Sequence, residues 1–369
     1  DDENQTSASR SFSITVQNIA PSDHFNTSIY NGSGASQSIT TGFAPDFTWI
    51  KSRSNGTWHC VADTVRGNLS RIFPNDAYQQ VTNNNGFLSF DSNGFNLDGQ
   101  GGGGDVNTSG RTYVAWSLKA GGAAVANTDG IISTQVSANT TLGFSVITYD
   151  GATNATADTS NNSGTYWNVA HGLGATPDLV LVKKTNGAGG WYVGGAALSS
   201  TGVNGNHLVL NATAAQVGEA NILWGGSQTF NATTFGIGGW DVVNRNGDSY
   251  LAYCFTSKPG MSKVGSYTGT GAAGNNVVTG FEPAFVMMKK TNSTSNWYIL
   301  DNKRNGPIGG NDGILFPNSS AAEDSSYNYI DFVANGFVLN FTNGDYNTSG
   351  GTYIYLAFAA DGSTATPSL

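Results

Sequence analysis

Charged residues are scarce in this chain, and their scarcity excludes several classes of function. Asp, Glu, Lys and Arg make up 11% of the 369 residues, whereas about a quarter is usual in globular domains. The net charge is −9 and there is no basic stripe, which argues against a nucleic-acid partner. No apolar run reaches the length of a membrane span. We therefore expect neither nucleic-acid binding nor membrane insertion.

Cysteine and histidine are also rare. Two Cys are too few for the disulfide framework of a small secreted domain, and the four His do not have the spacing of zinc ligands. The acidic residues show no obvious pairing of the kind that glycoside hydrolysis requires. We therefore predict a non-enzymatic protein without a cofactor, with bound Ca²⁺ as the one alternative.

Glycine, small polar residues and aromatic residues are abundant. The chain has 50 Gly, 19 Phe, 15 Tyr and 8 Trp. Short segments rich in Val, Thr, Tyr and Phe alternate with clusters of Gly, Asn and Ser, which is typical of strands joined by turns. This many aromatic residues argues against disorder. The composition predicts an all-β, turn-rich protein.

An internal repeat organises the chain into three similar units. Its first landmark reads TGFAPDFTWIKSRS near Pro45, HGLGATPDLVLVKKT near Pro177 and TGFEPAFVMMKKT near Pro283. Each copy continues with a tryptophan, a Phe-Gly segment and a closing strand that starts with Tyr: TYVAWSL, SYLAYCF or TYIYLAF. Units of about 100–120 residues fit independent antiparallel β-sandwiches better than solenoid repeats or propeller blades.

The repeat boundaries predict the domain organisation. Residues 1–22 are expected to be the last strand or linker of an upstream immunoglobulin-like domain, because Ser11–Val16 alternates polar and apolar residues. The remaining segments are sandwich 1 at 23–120, a linker at 121–140, sandwich 2 at 141–258, sandwich 3 at 259–362 and a tail at 363–369. The linker contains a candidate strand at 131–136.

The closing strand of each repeat has one large face and one small face. The large face carries Val114, Trp116, Leu118, Leu251, Tyr253, Phe255, Ile354, Leu356 and Phe358. Since alternate residues of a strand share a face, we expect these side chains to lie in the core and another layer to pack closely on the small face. The LVLVKK strand is apolar on both faces, which predicts a central strand covered on both sides.

Paired rings after the first landmark are the best candidates for ligand recognition. The pairs are Trp58–His59, Trp191–Tyr192 and Trp297–Tyr298. Neighbouring residues of a strand point to opposite faces, so one ring of each pair is expected outside, where its apolar face offers a platform for a sugar. The alternative is that the tryptophans are core residues.

An Asp-x-x-Arg spacing follows in the first and third repeats. It comprises Asp63 with Arg66 and Asp301 with Arg304, and the second repeat lacks it. A local ion pair is the favoured interpretation. The alternative is a clamp on vicinal sugar hydroxyls, which carboxylate and guanidinium groups bind well.

Two turns before the closing strand resemble half of a calcium-binding loop. They carry Asp105 and Asn107 in DVNTSG, and Asp345 and Asn347 in DYNTSG. A true EF-hand is excluded, because its twelfth position, a bidentate Glu, is an apolar residue of the closing strand here. The favoured interpretation is a tight Asx-stabilised hairpin, and the alternative is a Ca²⁺ site completed by another loop.

The landmarks resemble a known repeat family. The segments SKVGSYTGTG, TGFEPAFVMMKKT, NWYILDNKRN and NTSGGTYIYLAFA are similar to a repeat domain common in virion proteins of tailed phages, especially marine ones. The first unit, with FTWIKSRS and NTSGRTYVAWSLKAGG, resembles the companion repeat of the same proteins. The resemblance covers residues 25–362 and implies jelly-roll or concanavalin-like sandwiches with a structural role. It carries no catalytic residues.

The resemblance leads to an expected function. It implies a protein of the virion surface, a tail-fibre or appendage component that contacts other virion proteins and a host-surface glycan or receptor. A homotrimer is expected from the class. The alternatives are a capsid or tail decoration protein that stabilises the particle, and a secreted lectin-like adhesin. A polysaccharide depolymerase is disfavoured because no acid pair is apparent.

Overall fold

The fold is built almost entirely from β-strands. The computed structural model describes residues 19–83, 86–99, 105–153, 166–198, 205–219, 223–225, 230–304, 309–340 and 345–362. Within these ranges the regular elements are one 3₁₀ turn, Pro21–Asp23, and 26 strands, which confirms the all-β prediction. No helix in the described part of the chain is long and apolar enough to cross a membrane. The strand expected at 11–16 and the tail at 363–369 lie outside the described residues.

The strands follow the three repeats. The first repeat contains β1 (Phe25–Asn31), β2 (Gln37–Thr40), β3 (Phe47–Ser52), β4 (Cys60–Asp63), β5 (Ser70–Ile72), β6 (Val81–Thr82), β7 (Phe87–Asp91), β8 (Gly94–Leu97) and β9 (Thr112–Leu118). The second contains β10 (Val125–Asn127), β11 (Thr134–Asn139), β12 (Phe144–Asp150), β13 (Trp167–Ala170), β14 (Leu179–Lys184), β15 (Trp191–Gly194), β16 (Gly205–Val209), β17 (Val217–Glu219), β18 (Thr234–Ile237) and β19 (Ser249–Phe255). The third contains β20 (Ser262–Thr268), β21 (Asn275–Val278), β22 (Pro283–Lys290), β23 (Trp297–Asp301), β24 (Ile330–Val333), β25 (Gly336–Leu339) and β26 (Thr352–Ala359).

Each repeat has a larger inner sheet and a smaller outer sheet. The inner sheets have the strand orders β1-β9-β3-β4-β5-β6, β10-β11-β12-β19-β14-β15-β16-β17 and β20-β26-β22-β23. The outer sheets are β2-β8-β7, β13-β18 and β21-β25-β24. In every repeat the closing strand (β9, β19 or β26) pairs antiparallel with the opening strand on one side and the first-landmark strand on the other.

The small face of each closing strand packs inside its own sandwich. Ala115, Ala252 and Ala357 belong to three separate cores, each shared with residues of the outer sheet of the same repeat. The outer sheets contribute fully buried rings at Phe95, Phe235 and Phe337. Small residues on the inner sheet allow these rings to approach closely, which confirms the expectation of a layer packed against the small face.

The large faces of the three closing strands meet in one shared core. This shared core contains Phe25, Phe47, Trp49, Trp116, Leu118, Phe144, Leu181, Trp191, Tyr253, Phe255, Phe285, Met287, Trp297, Leu356 and Phe358, among others. The rings of Phe25 and Phe358 stack at 4.8 Å between repeats 1 and 3. The repeat length suggested independent sandwiches, but this expectation is wrong. Each sandwich depends on the other two to cover its apolar inner face.

The strand LVLVKK is central, as predicted. In β14, Leu179 and Leu181 enter the shared core, while Val180 and Val182 enter the core of the second sandwich. The residues expected to form a linker, 121–140, instead supply β10 and β11: β10 pairs with β11, β11 pairs with β12, and together they extend the inner sheet of repeat 2. The candidate strand at 131–136 overlaps β11, whereas β10, the edge strand, was not expected in this Gly/Ala-rich segment.

Candidate functional site

Three bridging loops join the repeats into a closed ring. The bridging loops are residues 73–80, 209–216 and 316–323, and each reaches the next repeat. Their backbone N–H groups donate to carbonyl oxygens of the neighbour at 2.7–2.9 Å, in the pairs Gln80 to Thr185, Gln216 to Thr291 and Glu323 to Arg53. We call the resulting contacts seam 1–2, seam 2–3 and seam 3–1. The recurrence of one bond at three seams indicates quasi-threefold packing.

Strand register corrects the alignment of the paired rings. Pairing with the closing strand makes three residues equivalent: Ile50, Val182 and Met288. On their other side these residues pair with Cys60, Tyr192 and Tyr298, respectively. The residues one step earlier are therefore equivalent: His59, Trp191 and Trp297. Their backbone N–H groups all donate, at 2.8 Å, to an Asn side chain of the bridging loop of their own repeat. The sequence comparison therefore aligned Trp58 with Trp191 and Trp297, although their true counterpart is the next residue, His59.

Four of the six candidate glycan-binding rings are buried. His59, Trp191, Trp297 and Tyr298 are at most 4% exposed. The indole Nε1 of Trp191 donates to the carbonyl of Phe73 at 2.9 Å across seam 1–2. The equivalent bond at seam 2–3 runs from Trp297 to Val209 at 3.0 Å. The two tryptophans join repeats, whereas Tyr298 packs in the core of its own sandwich. None of the four buried rings is available to a sugar, so they are removed from the candidate surface.

The other two rings differ in exposure. Tyr192 is half-buried and packs against His207 and Trp240. Trp58 is 38% exposed and lies beside Tyr78, itself 50% exposed, with ring centroids 6.1 Å apart. Tyr78 belongs to a bridging loop, and sequence reasoning missed it because it is not part of a repeated motif. Trp58 and Tyr78 together form an exposed aromatic pair at seam 1–2.

Both Asp-x-x-Arg motifs form buried ion pairs that lie at seams. Arg66 Nε is 2.6 Å from Asp63 Oδ2, and Tyr253 of repeat 2 donates its hydroxyl to the same oxygen at 2.8 Å. Asp63 is fully buried and the Arg66 side chain is 3% exposed. Burial opposes the charge of Arg66, but the adjacent Asp63 raises its pKa above the usual value. The local ion pair is thus present, and the Asp63 carboxylate is inaccessible to sugar hydroxyls.

The third repeat repeats this arrangement at seam 3–1. Arg304 Nε is 2.6 Å from Asp301 Oδ2, which also accepts a 2.9 Å hydrogen bond from Trp116 Nε1 of repeat 1. The guanidinium lies over the Trp116 ring, 5.3 Å from its centre, at a distance that favours a cation–π interaction. Glu323 bridges Arg304 to Arg53 of repeat 1, and these two cations lower its pKa although burial acts in the opposite direction.

Seam 2–3 has lost the polar pair on both sides. In repeat 2, Gly195 and Leu198 occupy the positions of the Asp and the Arg. In repeat 3, Leu356 occupies the closing-strand position that carries the donor in Trp116 and Tyr253. Leu198 and Leu356 both belong to the shared core. A buried carboxylate without a hydrogen-bond donor is costly. This explains why the Asp, the Arg and the closing-strand donor are all absent from seam 2–3.

Three buried lysines were not singled out from the sequence. Lys51, Lys183 and Lys289 are fully buried, at one position of the first landmark. Lys51 Nζ donates within repeat 1, to Ser52 O and Asn55 O, whereas the other two contact a neighbouring repeat. Lys183 Nζ donates to Ala77 O of repeat 1 at 3.2 Å, and Lys289 Nζ donates to Thr213 O of repeat 2 at 3.3 Å. Burial lowers the pKa of each lysine to about 8. Their recurrence in IKS, VKK and MKK was the available signal.

His59 is the first repeat's counterpart to the buried tryptophans. Its Nδ1 accepts from Trp49 Nε1 at 2.8 Å, and its Nε2 lies 3.1 Å from Ser319 O of repeat 3. This arrangement requires the neutral ring with the proton on Nε2. Burial, together with the charges of Lys51 and Arg304, lowers the pKa of His59 to about 3, so the ring is neutral at physiological pH.

The candidate calcium ligands tie a hairpin to the opening segment instead. Asn347 is fully buried, and its Oδ1 accepts from Thr270 N at 2.9 Å while its Nδ2 donates to Ala272 O at 2.8 Å. Asn107 makes the corresponding bonds to Ser33 N and Ala35 O. Their amide oxygens are thus engaged by backbone donors, and the calcium interpretation of Asn107 and Asn347 is replaced by the hairpin interpretation.

The aspartates of these turns do not complete a metal site. Asp105 forms an ion pair with Arg111 and accepts from Tyr113 OH, whereas Asp345 is exposed. Within the described ranges no three His, Cys, Asp or Glu side chains cluster as metal ligands. Cys60 and Cys254 are buried and free, and burial raises the pKa of Cys60 to about 11, which keeps its thiol protonated.

One family model matches almost the entire chain. It is described as domain of unknown function DUF7483 and covers residues 20–361. The chain belongs to the DUF7483 family. No curated protein and no solved structure matches the chain.

The extent of the DUF7483 match agrees with the packing. The matched region runs from the 3₁₀ turn before β1 to the residues just after β26, so it includes all three repeats and 121–140. A family unit of this length corresponds to the whole ring, whose shared core needs every repeat. The family name assigns no activity.

Proposed function

We propose that this DUF7483 protein is a non-enzymatic structural protein of a virus particle, a tail-fibre or appendage component that contacts the surface or the glycans of a host cell. The observation that supports the proposal is the use of the repeated polar side chains. The Asp–Arg pairs, His59 and two of the three buried lysines, Lys183 and Lys289, contact a neighbouring repeat. Such side chains give the ring rigidity, as a scaffold needs, and leave recognition to the surface between them.

Two further features support an outward-facing role. The sequence resembles repeat domains of tailed-phage virion proteins over residues 25–362. The exposed pair of Trp58 and Tyr78 offers apolar ring faces at the surface, where aromatic side chains commonly contribute to recognition. Other virion proteins are the proposed partners, and the proposed location is the virion surface, outside the cell.

The experiment that tests the proposal is localisation on purified particles. Particles of the virus that encodes the chain would be purified on a density gradient, analysed by mass spectrometry and labelled with a gold-conjugated antibody against the recombinant chain. We expect peptides at the particle density and label on the tail or its appendages. Label on the capsid would favour the decoration-protein alternative. Absence from the particles, with secretion from cells, would favour the lectin-like adhesin and overturn the proposal.

A homotrimer remains part of the proposal. One chain already places three sandwiches around a common core, and a threefold fibre would place three such rings on one axis. Light scattering of the full chain would give three times the mass of the 38.4 kDa monomer if the trimer forms without other virion proteins. A monomer at all concentrations would overturn the homotrimer. The virion role would still be tested by the localisation experiment.

A further inference from the structure

A polar cleft opens at seam 1–2, beside the Asp63–Arg66 ion pair. Its volume is about 470 Å³, within the range of small-molecule sites. Arg66 and Gln80 of repeat 1 line one wall. Gln135, Thr148, Asp150 and Ser249 line the facing wall, which belongs to repeat 2. The cleft therefore presents side-chain amides, hydroxyls and a carboxylate to a ligand.

The polar wall arises where the inner sheet of repeat 2 extends beyond the shared core. Along β12, Phe144 and Val146 point into the shared core, and Thr148 continues the same face. Gln135 of β11 pairs directly with Thr148, so their side chains lie next to each other on that face. An apolar face thus becomes polar at the point where repeat 1 no longer covers it.

The composition of its wall distinguishes this cleft from a smaller one of about 340 Å³ between repeats 3 and 1, which Thr27, Glu282 and Lys303 line instead. Ile29 and Ser266 occupy the position of Thr148 in repeats 1 and 3, as shown by their pairing with the closing strands. In the described residues, the inner sheets of repeats 1 and 3 lack strands that correspond to β10 and β11. Among the described residues, the wall that carries Gln135 therefore exists in one repeat only.

The charges around the cleft favour a neutral ligand. Of the described residues that line it, Arg66 is the one cation, and Asp63 neutralises it at 2.6 Å. Asp150 accepts a 2.7 Å hydrogen bond from Ser249 Oγ. No excess positive charge is left to hold a phosphate or a sulfate, and the net charge of −9 disfavours anionic polymers.

The exposed aromatic pair is connected to the cleft through Gln80, which lines it. Tyr78 precedes Gln80 by two residues, so their Cα atoms are within about 7 Å of each other. Gln80 is held in the wall by its backbone bond to Thr185 and by Arg66 Nη1, which donates to its Oε1 at 3.3 Å. A chain of sugar rings that leaves the cleft past Gln80 would meet Tyr78 and Trp58.

We propose that the cleft of Gln80, Gln135, Thr148 and Asp150 binds a neutral oligosaccharide, with Trp58 and Tyr78 as a stacking platform at its edge. Amide, hydroxyl and carboxylate groups hydrogen-bond sugar hydroxyls as donors and acceptors, and the rings contact the apolar faces of the next sugar. This assignment rests on the proposed contact with host glycans and specifies its place and its ligand class.

The test is binding of the full chain to defined oligosaccharides. The probes are neutral tetrasaccharides of glucose, galactose, mannose and N-acetylglucosamine, with dextran sulfate as the anionic probe, measured by calorimetry and by saturation-transfer NMR. We expect at least one neutral tetrasaccharide to bind. Gln135→Ala, Thr148→Val and Tyr78→Ala should each weaken it about tenfold, the effect of one lost hydrogen bond or ring contact.

Matched controls come from the third repeat. Ser266→Ala removes the hydroxyl at the position equivalent to Thr148, and Tyr327→Ala removes a ring that is 50% exposed, like Tyr78. Both should bind the tetrasaccharide as the unmodified chain does, and melting curves would confirm that every variant is folded. Equal weakening by the controls would overturn the cleft assignment.

Other outcomes separate this assignment from the proposed function. Neutral binding that survives all three cleft substitutions would overturn the cleft and leave the host-contact role intact. Preference for dextran sulfate, or no neutral binding at about 5 mM, would overturn the ligand class. The virion role itself is decided by particle labelling, which does not depend on any of these results.

Discussion

The indole Nε1 of Trp116 donates a 2.9 Å hydrogen bond to the Oδ2 atom of Asp301, 185 residues further along the chain. The bond connects the closing strand of repeat 1 to repeat 3 and so closes the ring. Tyr253 and Asp63 form the matching contact at seam 1–2. The buried polar groups of these seams give the interfaces specificity, because each group requires its partner in a defined place.

Removal of the carboxylate at seam 3–1 should destabilise the protein strongly. Asp301→Ala leaves the buried Arg304 and the Trp116 donor without their acceptor, which costs about 3–5 kcal/mol of unfolding free energy. Urea denaturation followed by circular dichroism measures the change. Glu323 still pairs with Arg304 in this variant, so the loss of unfolding free energy should lie in the lower part of this range. A loss below about 1 kcal/mol, as for a surface pair, would contradict the buried arrangement.

Conversion of seam 3–1 to the chemistry of seam 2–3 should recover part of that loss. The triple variant Asp301→Gly, Arg304→Leu and Trp116→Leu reproduces Gly195, Leu198 and Leu356. It should be more stable than Asp301→Ala, since apolar replacement of a buried ion pair is often neutral. The same denaturation assay compares the two variants. A triple variant less stable than Asp301→Ala would show that the apolar set depends on other residues of seam 2–3.

His59 should make the protein sensitive to acid. The pKa of its side chain is about 3 when folded, against 6.5 for an ordinary histidine. Between pH 6.5 and 3 the unfolded chain binds a proton that the folded chain does not, so stability falls as the pH decreases through this window, by a few kcal/mol at most. Denaturant titrations at pH 7 and pH 4 measure the difference.

The matched variant replaces His59 and Trp49 by their counterparts in repeat 3. Repeat 3 carries Met287 in place of Trp49 and Trp297 in place of His59. Its indole ring therefore lies on β23, whereas repeat 1 has its indole ring on β3. His59→Trp alone should overpack the core at a cost of about 1–3 kcal/mol, and adding Trp49→Met should relieve it. The double variant should lose less stability between pH 7 and pH 4. An unchanged acid dependence would assign it to carboxylates instead.

Adjacent lysines in β14 should behave differently when they are replaced. Lys183→Met removes the buried ammonium group that donates to Ala77 O and Gly189 O; Ala77 O keeps the Gly189 N–H as a donor, so the cost should be about 1–3 kcal/mol of unfolding free energy. Lys184 forms a partly exposed ion pair with Asp248, so Lys184→Met should cost less than about 1 kcal/mol. Thermal melts of both variants give the comparison, and equal losses would contradict a special role for the buried position.

The turn asparagines should matter for stability without any metal. Asn347→Ala removes a fully buried amide that bonds to Thr270 and Ala272, and should cost about 2–4 kcal/mol. Asn292→Ala, at an exposed turn, should change stability by less than about 0.5 kcal/mol. Addition of EDTA or Ca²⁺ should leave the melting temperature unchanged. A Ca²⁺-dependent rise that Asn347→Ala abolishes would restore the calcium interpretation.

Local sequence was informative wherever one repeat could be compared with another. Alternation in TYVAWSL and its counterparts correctly separated the large face from the small face, because a strand has a strict period of two. The same comparison misplaced Trp58 by one residue, since the counterpart of the two buried tryptophans is a histidine. Spacing from a landmark is weaker than strand register, and only pairing with the closing strand revealed the shift.

The sequence by itself determined the all-β class, the three repeats and the ion pairs three residues apart, because these depend on neighbours in the chain. Tertiary structure decided that the large faces share one core and that Asp301 faces Trp116. It also brought Gln80 of one repeat opposite Gln135 of another to form the cleft. The physical reason is that an apolar face specifies burial but not the surface that buries it. That surface was selected only when the three sandwiches closed into a ring.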